Sequence, residues 1–347
     1  MLKTKAYAAQ SETSPLAPWN LDRRDLTSFD VQIEILYCGV CHSDLHTARG
    51  EWYNSVYPVV PGHEIVGKVI AVGSDVNKYT TGDIVGVGCM VDSCSTCASC
   101  LDGLEQYCEE ASTGTYNSPE RDGSGMNYGG YSNMIIVRED FVLQISDNLP
   151  LEAVAPLLCA GITTYSPLRH WKVGKGTKVA IVGLGGLGHM AVKLAVSMGA
   201  DVTLLSHTAA KASDAERLGA HHFVLTSDED QMKAVRNSFD FILNTVSAPH
   251  DYNPYIQLLN RDGNMVLVGA PPPGPGLIAF NLIGGRKSIS GSLIGGIAET
   301  QEMLDYCAAH NIVSDVEVID IKNINEAYER MLKGDVRYRF VIDMSTL

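Results

Sequence analysis

Cys94, Cys97, Cys100 and Cys108 stand in "CSTCASCLDGLEQYC" at a C-x2-C-x2-C-x7-C spacing. Four thiolates in so short a run can close around one tetrahedral Zn²⁺ at about 2.3 Å with no position left open, which marks a structural site. An iron–sulfur cluster or four independent surface thiols are the other readings of that spacing. A second group is more dispersed. "CGVCHSDLH" sets Cys38 and Cys41 two residues apart with Ser43, Asp44 and His46 just after them, and "PGHE" adds His63 and Glu64. The cysteine pair alone is open to three readings: a redox couple, a disulfide, or half of a metal site. A catalytic zinc needs about three protein ligands and one position open to water or substrate. Cys41, His63 and the distant Cys159 of "LLCAGITTY" could supply two thiolates and one imidazole.

A third group points to a nucleotide. "GLGGLG", with Gly183, Gly185 and Gly188 at G-x-G-x-x-G spacing around Gly186 and Leu187, follows the apolar run "KVAIV" and opens an amphipathic stretch. That strand–turn–helix context lets backbone N–H groups and a helix N-terminus approach a pyrophosphate. The next strand-like run, "DVTLLSHTAAK", ends in Ser206, His207 and Thr208 with Lys211 beyond, where an NAD site usually has an Asp or Glu for the ribose diol. Hydroxyls with a Lys suit a 2′-phosphate, so NADP(H) is favoured over NAD(H).

Two textures must carry these groups. From about residue 28 to 145 short β-like runs such as "VQIEILY" and "IVGKVIAVG" alternate with turn residues, and residues 117–130 form a turn-rich, exposed connection. After about residue 152 the pattern becomes βαβ, with "FDFILNTV" and "GNMVLVGA" as further strands of a doubly wound parallel sheet. The expected division is 1–152 and 153–290, with 291–347 returning to the first domain.

Composition sets the outer limits. With 347 residues, 45% apolar, the chain can bury two cores, and 40 acidic against 26 basic side chains, a formal charge of −14, leave no electrostatic footprint for nucleic acid. The first ten residues lack a signal peptide's apolar segment and no run is long enough to span a bilayer, so a soluble, cytoplasmic protein without membrane partners is expected. In a reducing compartment nine cysteines read as metal ligands and buried thiols before disulfides.

The motifs "GVCHSDLH", "PGHE", the four-cysteine lobe, "LLCAGITTYSPL" and "GLGGLG" occur together in the order and approximate spacing of zinc-containing medium-chain alcohol dehydrogenases. The chain most resembles the cinnamyl alcohol dehydrogenase-type branch, which includes bacterial NADPH-dependent aldehyde reductases, and the likeness extends to the tail "INEAYERMLKGDVRYRFVID". The resemblance implies an α/β protein: a β-rich GroES-like catalytic domain and a doubly wound Rossmann domain. It implies a catalytic zinc on Cys41, His63 and Cys159, Glu64 behind the metal, Asp44 orienting His63, and a structural zinc on the four-cysteine lobe. Cys38 is then no ligand, and it, Cys89 and Cys307 are buried thiols.

The resemblance also implies a proton path from Ser43 through the cofactor ribose to His46. It puts Arg339, or its neighbour Arg337, on the pyrophosphate, and Thr163 with Val268, Gly269 and Ala270 at the nicotinamide. Trp52, Tyr53, Met90, Leu293 and Ile294 become candidate walls of an apolar pocket between the domains, suited to aliphatic or aromatic aldehydes. A homodimer joined through the edge segment Ser288 to Ile294 is expected. An NAD-dependent relative, a zinc-free enone reductase and a non-catalytic zinc- or nucleotide-binding protein are the alternatives. Joint presence of both cysteine sets with Ser43 and His46 argues against the last two.

Overall fold

The structure, a computed structural model, describes every residue except Met1, Pro272, Pro273 and Pro275. The chain divides into two compact units, one of Met1–Cys159 with Gly295–Leu347 and the other of Ala160–Ile294. Among the described residues no helix is long and apolar enough to cross a membrane.

The first unit is built on the strand Asp30–Val40, whose alternation sends Val31, Ile33 and Ile35 into the core while Glu34 stays exposed. Each such side chain contributes about 1.5–3 kcal/mol of burial. Among the described residues its sheet has seven strands, in the order Val316–Asp320, Arg339–Asp343, Asp30–Val40, Ile65–Val72, Ile84–Val87, Leu143–Gln144, with Met134–Arg138 also on Asp30–Val40. The tail strand runs antiparallel to Asp30–Val40, with Phe340 opposite Val40 and Ile342 opposite Cys38. That register delivers Arg339 to the end of the strand from which Cys41 emerges.

The second unit carries, among the described residues, six parallel strands in the order His222–Leu225, Asp201–Ser206, Lys178–Val182, Phe239–Asn244, Leu259–Leu267, Ser288–Gly291. Val179 to Val182 are all buried, as expected for a parallel strand covered on both faces. Chain order reverses between Lys178–Val182 and Phe239–Asn244, and a doubly wound sheet binds its ligand at such a switch point.

Residues 117–130 are only in part the exposed connection that their turn-rich composition predicts. Pro119 to Gly125 are largely exposed, but Asn127, Gly129 and Gly130 are buried. Their backbone pairs with the segment before His63: Gly129 N to Val60 O at 2.8 Å, Gly130 N to Gly62 O at 2.9 Å, and Tyr131 N to Pro61 O at 2.9 Å. Glycines serve there because a Cβ on Gly129 would lie 2.4 Å from the Pro61 and Gly62 oxygens. Turn composition alone cannot tell a solvated loop from one pressed against another backbone.

Candidate active site

Cys94, Cys97, Cys100 and Cys108 present their sulfurs within 4.8 Å of one another. A tetrahedron with bonds of about 2.3 Å has edges of about 3.8 Å, and Cys94 Sγ and Cys100 Sγ are 3.8 Å apart. Backbone N–H groups already point at these sulfurs, from Cys97 to Cys94 Sγ at 3.3 Å and from Glu109 to Cys97 Sγ at 3.4 Å. Such donors, those of Thr96 and Cys97 first, bring the Cys94 thiol down to about 6. The donor set fits a closed zinc site.

The second set gathers Cys41, His63, Glu64 and Cys159, again with one ligand atom each within 4.8 Å. Cys41 is the N-cap of the short helix His42–Ala48, and the Asp44 side chain accepts the Cys41 N–H at 2.8 Å in a capping box. His63 follows Gly62, whose φ of 105° and lack of room for a Cβ, 2.8 Å from Cys38 Sγ and Gly130 N, exclude other residues. Cys159 ends the helical turn Ala155–Leu158. Three segments therefore converge on one buried point.

Two carboxylates organise it. Asp44 is fully buried and accepts from Cys41 N, from Gly62 N at 3.0 Å and from His63 Nδ1 at 3.0 Å, which leaves Nε2 of His63 as the nitrogen available to a metal. Glu64 is pushed up to about 7 by burial, against the pull of Arg339, which donates to its Oε1. Glu64 Oε2 is buried without a partner among the described residues. The Cys159 thiol, and after it His63 and Arg339, hold Cys41 well below the usual thiol range. Two thiols, one imidazole with a fixed tautomer and one orphaned carboxylate oxygen fit a zinc ion with a changeable coordination sphere.

Around this set, Ser43 Oγ lies 3.7 Å from Cys41 Sγ. His46 Nδ1 meets Glu51 Oε2 at 2.5 Å, and its ring lies 5.3 Å from that of Trp52. Trp52 and Tyr53 are exposed, at 43% and 97%, whereas Met90 is 4% exposed and packs in the core. Arg339, expected at a pyrophosphate, is buried and spends its bond on Glu64. Cys89, expected to be a buried bystander, is half-buried, and its thiol donates at 3.7 Å to the carbonyl of Leu158, the residue just before Cys159. Cys38 and Cys307 are buried and free.

Within the second unit, the glycine loop joins Lys178–Val182 to the helix Gly186–Ser197, with Gly183 at φ 92°. A Cβ on Gly188 would lie 2.1 Å from Gly183 O, so helix and turn pack backbone to backbone, whereas one on Gly185 would meet nothing. That open face at a helix N-terminus fits a pyrophosphate. Ser206 is buried, its Oγ accepting from Thr208 N at 3.2 Å, while His207 is exposed and Lys211 half-buried. Thr163 lies buried in Ala160–His170, Val268 to Ala270 follow the strand Leu259–Leu267, and Leu293 and Ile294 follow Ser288–Gly291.

Sequence reading missed several residues at the metal cluster. Tyr116 lays its ring 5.6 Å from that of His63, Tyr131 donates to Asp44 Oδ2 at 3.3 Å, and Tyr328 reaches Tyr131 at 3.5 Å. No local motif announces them, because each is brought in by a separate element.

A chain with a dinucleotide loop and an open thiolate–imidazole set has the parts of a metal-dependent dehydrogenase. It belongs to the zinc-binding alcohol dehydrogenases: residues 27–147 match the alcohol dehydrogenase GroES-like domain and 186–309 the zinc-binding dehydrogenase family. It is 59% identical to aldehyde reductase YahK of Escherichia coli strain K12, over 100% of this chain and 99% of that protein. It is 55% identical to NADP-dependent alcohol dehydrogenase C of Mycobacterium bovis, over 100% of both. The crystal structure of a cinnamyl alcohol dehydrogenase from Helicobacter pylori complexed with NADP(H) superposes with a TM-score of 0.93 at 44% identity, covering 99% of each chain.

Proposed function

We propose that this chain is an NADP(H)-dependent zinc alcohol dehydrogenase working as an aldehyde reductase on aliphatic and aromatic aldehydes of the cinnamyl and benzyl kind. The convergence of Cys41, His63 and Cys159 from three segments carries the reading. These three hold a catalytic zinc with Glu64 behind them, and Cys94, Cys97, Cys100 and Cys108 hold a structural one. When bound, the catalytic zinc polarises the aldehyde oxygen and NADPH supplies the hydride.

The side chains do the rest. Ser43 Oγ holds the proton destined for the product oxygen, and His46 exchanges it with water. Glu51, accepting from His46 Nδ1, leaves Nε2 to take and give that proton. The Gly183–Gly188 loop cradles the pyrophosphate, and Ser206, His207, Thr208 and Lys211 surround the 2′-phosphate. The lack of an acidic side chain at the end of Asp201–Ser206 supports NADP(H), as do the NADP-dependent relative and the NADP(H) complex.

Assembly and location belong to the same reading. Ser288–Gly291 is an edge strand, and Phe280, Ile283 and Leu293 near it are 80%, 68% and 55% exposed, which supports a homodimer joined there. All nine cysteines are free, six of them in the two metal sets, which suits the reducing cytoplasm.

Zinc content measured together with NADPH-dependent reduction of benzaldehyde tests the reading. Two zinc ions per chain and steady turnover are expected, and Cys159→Ser should lose one zinc and all turnover. Full turnover in a zinc-free protein, or in Cys159→Ser, would sink it.

A further inference from the structure

Asp44 carries a buried negative charge on which the whole open metal set rests. Its Oδ1 receives Gly62 N and His63 Nδ1, and its Oδ2 receives Cys41 N and the Tyr131 hydroxyl at 3.3 Å. A buried carboxylate needs such donors, and losing one leaves a lone pair that no water replaces. Tyr131 is 0% exposed and sits 87 positions from Asp44.

Two further contacts make Tyr131 more than a neighbour. Its own backbone, with that of Gly129 and Gly130, is zipped to Val60, Pro61 and Gly62, the residues that lead into His63. Its oxygen in turn accepts from the hydroxyl of Tyr328, on the helix Ile324–Leu332, at 3.5 Å. Burial, and after it the Asp44 charge, holds both phenols well above their ordinary value, so each remains a donor. The order of donation is Tyr328 to Tyr131 to Asp44, and each bond polarises the next.

We propose that Tyr131 is a positioning residue of the open metal set: its hydroxyl fixes the Asp44 carboxylate, and through it the His63 ring and the Cys41 backbone, with Tyr328 as the second member of the relay. The inference rests on the reading of Cys41, His63 and Cys159 as zinc ligands. Outer partners of metal ligands typically change metal affinity or activity about ten- to a hundred-fold. Tyr131→Phe keeps the ring in its packing and deletes only the donor.

The test follows zinc release from the full-length holoenzyme to a chromogenic chelator, with the four-cysteine zinc as internal reference. A wild type that yields no labile zinc would defeat the underlying reading. If wild type releases one labile ion, Tyr131→Phe should release it about ten- to a hundred-fold faster, leaving the second ion at its wild-type rate and KM for NADPH unchanged. Tyr131→Phe combined with Tyr328→Phe removes the hydroxyl that the first change orphans. This double variant should melt no lower than Tyr131→Phe and still release the labile zinc fast. Release of the labile ion at the wild-type rate overturns the proposal. So does equal acceleration of both ions, which is the mark of a merely loosened unit.

Discussion

Arg339 and Glu64, 275 positions apart, form a buried ion pair directly behind the thiolate–imidazole cluster. The pair exists because the tail strand adds antiparallel to Asp30–Val40. Its other atoms are less well served: Glu64 Oε2 and Arg339 Nε are both buried without partners among the described residues.

Removing one partner of such a pair leaves an uncompensated buried charge. Arg339→Met should therefore cost on the order of 3 kcal/mol in denaturant unfolding of the cofactor-free protein. Unchanged stability with a raised KM for NADPH would instead assign Arg339 to the cofactor.

Lys211 should supply part of the preference for NADPH. A charge-assisted contact to the 2′-phosphate is worth about 1.5–3 kcal/mol, so Lys211→Ala should lower kcat/KM for NADPH about ten- to a hundred-fold. NADH lacks that phosphate and should be nearly unaffected. Equal losses for both cofactors would place Lys211 elsewhere.

Arg23 ties down the segment that carries Tyr131. Its guanidinium donates to Met134 O at 2.6 Å, Tyr128 O at 2.8 Å, Gly129 O at 3.1 Å and Ser132 Oγ at 2.9 Å. Burial brings its own value down to about 10, and the protein tolerates this because all four acceptors are used. Arg23→Met should destabilise by about 3 kcal/mol, and Arg23→Lys, lacking the planar fork, should recover little of it. A thermal melt within a degree or two of wild type would refute this.

Asp30 gives a pH signature. Burial alone would raise its carboxyl, but hydrogen bonds from Arg24 and Thr27 outweigh that and hold it below the usual value. A depressed carboxyl binds its proton more readily in the unfolded chain, so its contribution is present above about pH 4 and is lost as pH falls through the folded value. Asp30→Asn should be less stable than wild type at pH 7, and the gap should narrow on acidification toward about pH 3. A gap that widened there would reverse the sign.

By itself the sequence determined the chemistry whose parts lie close along the chain. The four-cysteine lobe needs only a short loop to close, and the glycine turn needs only the strand before it and the helix after it, so spacing and backbone sterics specify both. The strand end at Ser206 belongs to the same class, because the local sequence sets which residues stand where the strand stops. Tertiary structure decided what acts across long separations: Arg339 on Glu64, Tyr131 on Asp44, Cys89 on Leu158, and Asn127, Gly129 and Gly130 buried where turn composition suggests a solvated loop. These pairings have no local signature, since a tyrosine or an arginine looks the same in sequence whether its partner is water or a carboxylate. Strand register and the burial of that carboxylate chose the partner, because a charge withdrawn from water must be met by whichever donors the fold brings within reach.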